Sequence, residues 1–307
     1  MEAKASAPGK VILFGEHAVV YGRPAIAVPV KGVRAWAKVE DSPGQTLIRA
    51  LDIGKEYSLS EAPPDDPLRL AVELTLNFLE LPKATGFTIT ITSEIPIARG
   101  LGSGAAVSTA IVRALASYFG RELAPDEVSA IVYEVEKIYH GTPSGIDNTV
   151  IAYESPVFFI KNQKPVLFKA QKPFNIIIGD TGISSSTKEV VLWVRKRWEE
   201  NKAWHEKLFD RIGEIVLSGR KAAEEGDLKR MGELMDENHR LLVELGVSCP
   251  ELDRLVEAAK RAGALGAKLS GAGWGGNMIA LVEEESIGQV SEALKEAGAV
   301  AILASMV

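Results

Sequence analysis

The sequence is nearly devoid of cysteine: Cys249 is the single one in 307 residues. One thiol forms no intrachain disulfide and supports no cysteine-based zinc site, so a disulfide scaffold is excluded. No stretch reaches the roughly 18 apolar residues that a membrane-spanning helix needs. The first ten residues hold no apolar signal-peptide core, and the protein is expected to be cytoplasmic, in a reducing compartment. Long basic runs are absent as well. Lys and Arg number 35 against 41 Asp and Glu, a formal net charge of −6. Such a chain is poorly suited to sequence-independent nucleic-acid binding, which needs clustered cations. A local basic pocket for one small anion stays open. Neither an internal repeat nor a low-complexity segment is found.

What is present is ordinary globular composition, 46% hydrophobic and 25% charged. The length fits about two domains with substantial cores. In the first half, 10–14 and 25–39 read as strands, separated by the turn-rich stretch 15–24. Asp66 followed by Pro67 reads as an N-cap and first helical residue, opening a helix to about Leu81. Residues 87–92 alternate Thr and Ile around Phe, a strand pattern. A glycine-rich loop, 99–104, leads into an Ala-rich helix ending near Gly120. Pro125 opens a helix to about Tyr139, and a short helical segment starts at Ile146. Residues 156–160 and 166–169 read as a hairpin.

The second half differs in texture. Residues 174–179 form an apolar strand, and 187–245 are nearly all helix in three pieces. Pro250 opens a further helix. A strand (267–270), a glycine loop, a strand (277–282), a helix (287–297) and a strand (300–304) follow. With the helical block taken as one crossover the order is β-α-β-β-α-β, the split βαβ, ferredoxin-like pattern. The expected domains are residues 1–165 and 166–307.

Three segments carry candidate chemistry. The run Pro96, Ile97, Ala98, Arg99, Gly100, Leu101, Gly102, Ser103, Gly104, Ala105 lies between a strand and a helix. Its glycines let backbone N–H groups approach an anion, and the helix N-terminus adds partial positive charge. A tight strand-to-helix turn explains the same glycines. A Walker loop is excluded because Gly9-Lys10 is followed by Val11. A Rossmann unit is excluded because the helix is followed by another helix instead of a parallel strand. The later run from Gly271 to Gly276 matches G-x-G-x-x-G by letter but precedes a strand.

Lys10, Glu16 and His17 sit on a strand and its exit. A lysine there can hold a phosphate or lower a hydroxyl's pKa; a solvated lysine and a hydrogen-bonded structural histidine are the bland readings. Glu136 lies in the last turn of a helix, where the dipole disfavours a carboxylate, so a compensating cation such as Mg²⁺ is expected. Asp147 sits just inside the next helix, where favourable helix-end charge also accounts for it. Ser186 and Glu189 have capping-box spacing. Trp193, Trp198 and Trp204 read as packing or a partner surface.

Taken in order, Pro8-Gly9-Lys10, the loop 96–106 and the run 270–276 resemble the GHMP kinase family. Residues 15–22, 140–148 and 179–182 are similar to segments of its mevalonate kinase branch. The resemblance spans essentially the whole chain. It implies an α+β fold of two domains, ribosomal-protein-S5-like at the N-terminus and ferredoxin-like with extra helices at the C-terminus. It implies an enzyme that transfers the γ-phosphoryl of ATP to the C5 hydroxyl of (R)-mevalonate, in isoprenoid precursor synthesis, and a homodimer. Asp147 would be the catalytic base, paired with Lys10. Glu136 would bind Mg²⁺, with either Ser103, a water or no further ligand in place of the family's usual hydroxyl. Residues Pro96 to Ala105 would wrap the ATP phosphates, and Glu16, His17, Ser144 and Thr187 would contact mevalonate. Mevalonate is itself an anion, so an acidic protein must offer it a local cation or dipole; His17 is a candidate, and Lys188 another on weaker grounds. The alternatives are another small-molecule kinase of the family (phosphomevalonate, mevalonate 3-, homoserine or sugar kinase) or a non-catalytic sensor. Two departures stand out. Gly104 replaces a serine that usually reaches the metal. Trp274 replaces a glycine of the late loop, where it could close the pocket, stack on a ligand or change what binds.

Overall fold

The computed structural model describes residues 1–96, 99–140 and 143–307. Two compact units are built from interleaved segments. Met1–Gly9, Val33–Ile97 and Gly102–Glu154 make the first; Lys10–Gly32, Ala98–Leu101 and Ser155–Val307 make the second.

Strand β1 (Glu2–Phe14) and strand β2 (Ala25–Asp41) each contribute residues to both units. In the first unit follow β3 (Leu47–Ala50), β4 (Lys55–Ser58), α1 (Pro67–Phe78), β5 (Phe87–Ser93), α2 (Ser103–Tyr118), α3 (Pro125–His140) and α4 (Ile146–Tyr153). The strand order there is β4-β3-β5-β2, with β1 also pairing β2. Register places Ala37 opposite Ile91 and Val39 opposite Ile89. These residues are all buried, because period-two alternation sends them to one face. That face packs with Ala71, Val72 and Leu76 of α1 and Ala110, Ile111, Ala114 and Leu115 of α2. The small alanines let α2 lie deep in the unit. Helix α1 starts as its sequence expects: the Asp66 side chain accepts from Arg69 N at 2.9 Å, and Pro67 opens the helix.

In the second unit the N-terminal part of β2 pairs antiparallel with β6 (Val157–Phe159), and β6 with β7 (Val166–Leu167). The remainder runs β8 (Asn175–Asp180), α5 (Thr187–Glu200), α6 (Lys202–Glu225), α7 (Leu228–Leu245), α8 (Pro250–Arg261), β9 (Gly266–Ser270), β10 (Asn277–Val282), α9 (Ile287–Glu296) and β11 (Ala301–Met306). The sheet order is β11-β8-β10-β9, antiparallel throughout. Two interleaved crossovers produce that order, and it is the ferredoxin-like arrangement read from the sequence. Gly232 of α7 sits directly on Gly266 of β9. A Cβ on Gly232 would fall 2.2 Å from Leu265 O, so no side chain fits there.

Three local features differ from the sequence reading. Strand β1 begins at Glu2, not Lys10. A 3-10 turn, Ala18–Tyr21, occupies part of the expected turn region. The strands β3 and β4 were not anticipated.

Candidate functional site

In the second unit, β1 delivers Lys10 into the interior, where it is 4% exposed. The chain then turns sharply at Gly15. Its φ is 101°, and a Cβ there would lie 2.6 Å from Ala25 Cα. This turn buries Glu16 and His17. Lys268, at the centre of the wholly buried strand β9, donates from Nζ to Glu16 Oε1 and, at 2.6 Å, to Leu269 O. Burial pushes the Glu16 carboxyl up and the Lys268 ammonium down, and each charge opposes the shift of the other. Glu16 Oε2 is buried and has no hydrogen-bond partner.

His17 has φ 59°, in the left-handed region. Its Nε2 lies 2.8 Å from Ala272 O. Burial pulls its pKa down to about 4, so the ring is neutral at pH 7 and Nε2 donates to the carbonyl. Of the cation or dipole that the sequence left open here, a neutral ring offers the dipole: desolvation outweighs the carbonyl's pull. Lys188 is exposed, in the first turn of α5.

The candidate phosphate loop is held in the second unit at residues 99–101. Lys10 N donates to Leu101 O at 2.9 Å. The Arg99 guanidinium pairs with Asp180 at 3.3 Å, and Asn277 Nδ2 donates to Arg99 O. Asp180 Oδ1 also accepts from Gly182 N at 2.8 Å. Ile97 and Ala98 lie outside the described residues. In the first unit Gly102, with φ 72°, is the N-cap of α2, and Ser103, Gly104 and Ala105 form its first turn. No side chain caps this end, so its N–H groups face no protein carboxylate or hydroxyl from the cap. Pro96 is exposed.

Elsewhere in the first unit, Glu136 of α3 is 3% exposed. Asp147 is the second residue of α4, half-buried. Its neighbour Asn148 fastens α4 to α3, donating to Ser129 O at 3.1 Å and Ser129 Oγ at 2.8 Å. The Ser144 hydroxyl accepts from Ile146 N at 3.3 Å, shaping the entry to the helix. Gly141 and Thr142 lie outside the described residues.

The late glycine loop, 271–276, joins β9 to β10 and leads into a strand, as expected. Trp274 occupies it with φ 57°. Its Nε1 donates to Gly246 O at 3.0 Å, and its ring meets Trp193 edge-on at 5.2 Å. The indole packs on α5 and the end of α7. Thr187 opens α5 and is exposed, while the Ser186 side chain accepts from Glu189 N at 3.3 Å, fulfilling the cap reading.

The residue that sequence reasoning missed is Lys268. The available signal was that this strand runs directly into the glycine loop.

Comparison with known proteins agrees with this architecture. The GHMP kinases N terminal domain model matches residues 68–155, and the GHMP kinases C terminal model matches 220–300. The mevalonate kinase of Thermococcus sibiricus is 41% identical, with 99% of this chain and 96% of the relative covered. The crystal structure of L. major mevalonate kinase in complex with R-mevalonate superposes with TM-score 0.85 at 32% identity, covering 99% and 95% of the two chains. That of Methanococcus jannaschii mevalonate kinase gives TM-score 0.87 at 29% identity over 100% and 99%. The chain belongs to the GHMP kinase family.

Proposed function

We propose that the protein transfers the γ-phosphoryl group of ATP to the C5 hydroxyl of (R)-mevalonate, giving 5-phosphomevalonate and ADP. The observation that carries this reading is the full-length likeness to mevalonate kinases, the L. major enzyme with R-mevalonate among them. The uncapped start of α2 and the glycines before it suit the ATP phosphates. Phosphoryl transfer asks for positioning and charge neutralisation more than for covalent help. Asp147 accepts the hydroxyl proton as the substrate oxygen bonds to the γ-phosphorus and the bond to the β-phosphate oxygen breaks. Lys10 supplies positive charge beside that transfer. Residues 96–105 hold the phosphates, and Glu16, His17, Ser144 and Thr187 bind mevalonate.

Mg²⁺ belongs to this reading. Among the described residues no group of three or more His, Cys, Asp or Glu side chains gathers. Mg²⁺ needs no such cage, because one or two protein oxygens with substrate phosphates and water suffice. The buried carboxylate of Glu136 and the hydroxyl of Ser103 at the start of α2 are such oxygens and would hold it. When bound, the ion neutralises charge on the phosphates. The homodimer is carried over from the resemblance alone, and the cytoplasmic location from the sequence reading of its first residues and its one cysteine. Among the described residues no helix is long and apolar enough to cross a membrane.

The test is ADP release with ATP, Mg²⁺ and (R,S)-mevalonate, beside homoserine, galactose and phosphomevalonate. Mevalonate-dependent turnover is expected. Asp147→Asn is expected to keep ATP binding and lose roughly a thousandfold in kcat. Turnover with another acceptor instead overturns the substrate assignment. An unchanged rate in Asp147→Asn overturns the base assignment.

A further inference from the structure

A buried carboxylate needs partners for both oxygens, since an unpaired charge in the interior is costly. Glu16 has a partner on one only. Oε1 receives the Lys268 ammonium, while Oε2 is buried without a hydrogen bond. Lys268 itself is fixed. It lies in the interior of β9, opposite Ile279 of β10, and a second of its protons goes to Leu269 O. Both side chains are 0% exposed. The ammonium therefore cannot swing to Oε2 without giving up a hydrogen bond inside a closed site.

We propose that Lys268 is a positioning residue: it pins Glu16 through Oε1, so that Oε2 is presented as an acceptor for a hydroxyl of the substrate. The inference rests on the reading of mevalonate as that substrate. A carboxylate oxygen repels the substrate's own carboxylate and accepts from an alcohol, so the partner is an alcohol hydroxyl. The adjoining His17 agrees. Its Nε2 proton goes to Ala272 O, leaving Nδ1 as a second acceptor from the same turn. A pair serving stability alone gives no reason for an orphan oxygen, and pairs of that kind are often replaceable by apolar residues at no loss.

The test is steady-state kinetics of the full-length protein with ATP, Mg²⁺ and mevalonate, on wild type, Lys268→Met, Glu16→Gln and the double variant, each checked for folding by circular dichroism. Lys268→Met is expected to raise the KM for mevalonate roughly tenfold to a hundredfold, the range for a hydrogen bond to a charged group, with the KM for ATP little changed. A structural role would instead lower the active fraction, reducing kcat with both KM values intact. The double variant is expected to match Glu16→Gln in mevalonate KM, because Lys268 has nothing left to position. It decides the matter if Lys268→Met alone fails to fold. An unchanged mevalonate KM in Lys268→Met, or losses that multiply in the double variant, overturns the inference. Wild type without mevalonate turnover overturns the functional reading itself, and with it this inference.

Discussion

Glu154 in the first unit and Glu16 in the second are both gripped by cations, and the two are built differently. In the first unit Glu154 sits in the left-handed conformation at the end of α4, with φ 48°. Its Oε1 accepts from Arg34 at 3.0 Å and from Arg113 at 2.5 Å, and its Oε2 accepts from Arg34 at 3.0 Å. The two arginines also bind Ser6, and Arg113 reaches Ala152 O. All three side chains keep about a quarter of their surface in water. In the second unit Glu16 and Lys268 have none, and Glu16 leaves an oxygen without a partner. The first arrangement is a closed knot that ties β1, β2, α2 and α4. The second is open on one side although it is buried. Charge and pairing do not separate the two arrangements; the unmatched oxygen under full burial does.

Acid should separate the two regions most strongly. His17 and His239 both have pKa values lowered by burial from 6.5 to about 4. His239 accepts from Leu269 N, so both histidines belong to the surroundings of Lys268. Between those pH values the unfolded chain binds protons that the folded chain refuses, so stability falls as pH falls through that window. Each histidine is expected to make the protein about 2 kcal/mol less stable at pH 5 than at pH 7. Urea denaturation at the two pH values checks this. His17→Asn and His239→Gln should each flatten the dependence, Asn being tolerant of the positive φ at position 17. Wild type whose midpoint does not move between pH 7 and pH 5 would remove the burial argument.

The knot should respond to the opposite treatment. Glu154→Gln leaves Arg34 and Arg113 facing each other without their shared anion. A loss of about 2 kcal/mol is expected, discounted because the three groups are partly solvated. The mevalonate and ATP KM values of the folded enzyme should stay unchanged, in contrast to Lys268→Met. A shifted mevalonate KM in Glu154→Gln would break the distinction between strut and site.

Much of this was legible in the sequence where local chemistry decides. Asp66 with Pro67 starts α1, Ser186 caps α5, and the strand and helix pattern after residue 174 yields the second sheet. Strands β3 and β4 were not legible. They are four residues each, too short for a clear period; β3 pairs along the parallel edge of β5, and β4 pairs with β3. Long-range pairing is the harder case. Lys268 lies 252 residues from Glu16, and nothing in the run Gly266 to Ser270 announces a carboxylate partner. Trp274 was legible as a departure, but its direction depends on Trp193 and Gly246, which approach only in the folded unit.

The smallest expected effect carries the same count of oxygens to the metal. Gly104 is the second residue of α2, next to Ser103. If Glu136 and Ser103 hold Mg²⁺, the position where the family's usual serine would add an oxygen has no side chain. Ser in place of Gly suits a helix slightly better, so Gly104→Ser should not weaken the fold. It should tighten the apparent Mg²⁺ dependence of turnover by about threefold, the lower end of what one hydrogen-bonding or ligating group contributes. A Mg²⁺ titration at fixed ATP reads this directly. If the midpoint does not move, another oxygen already fills that place.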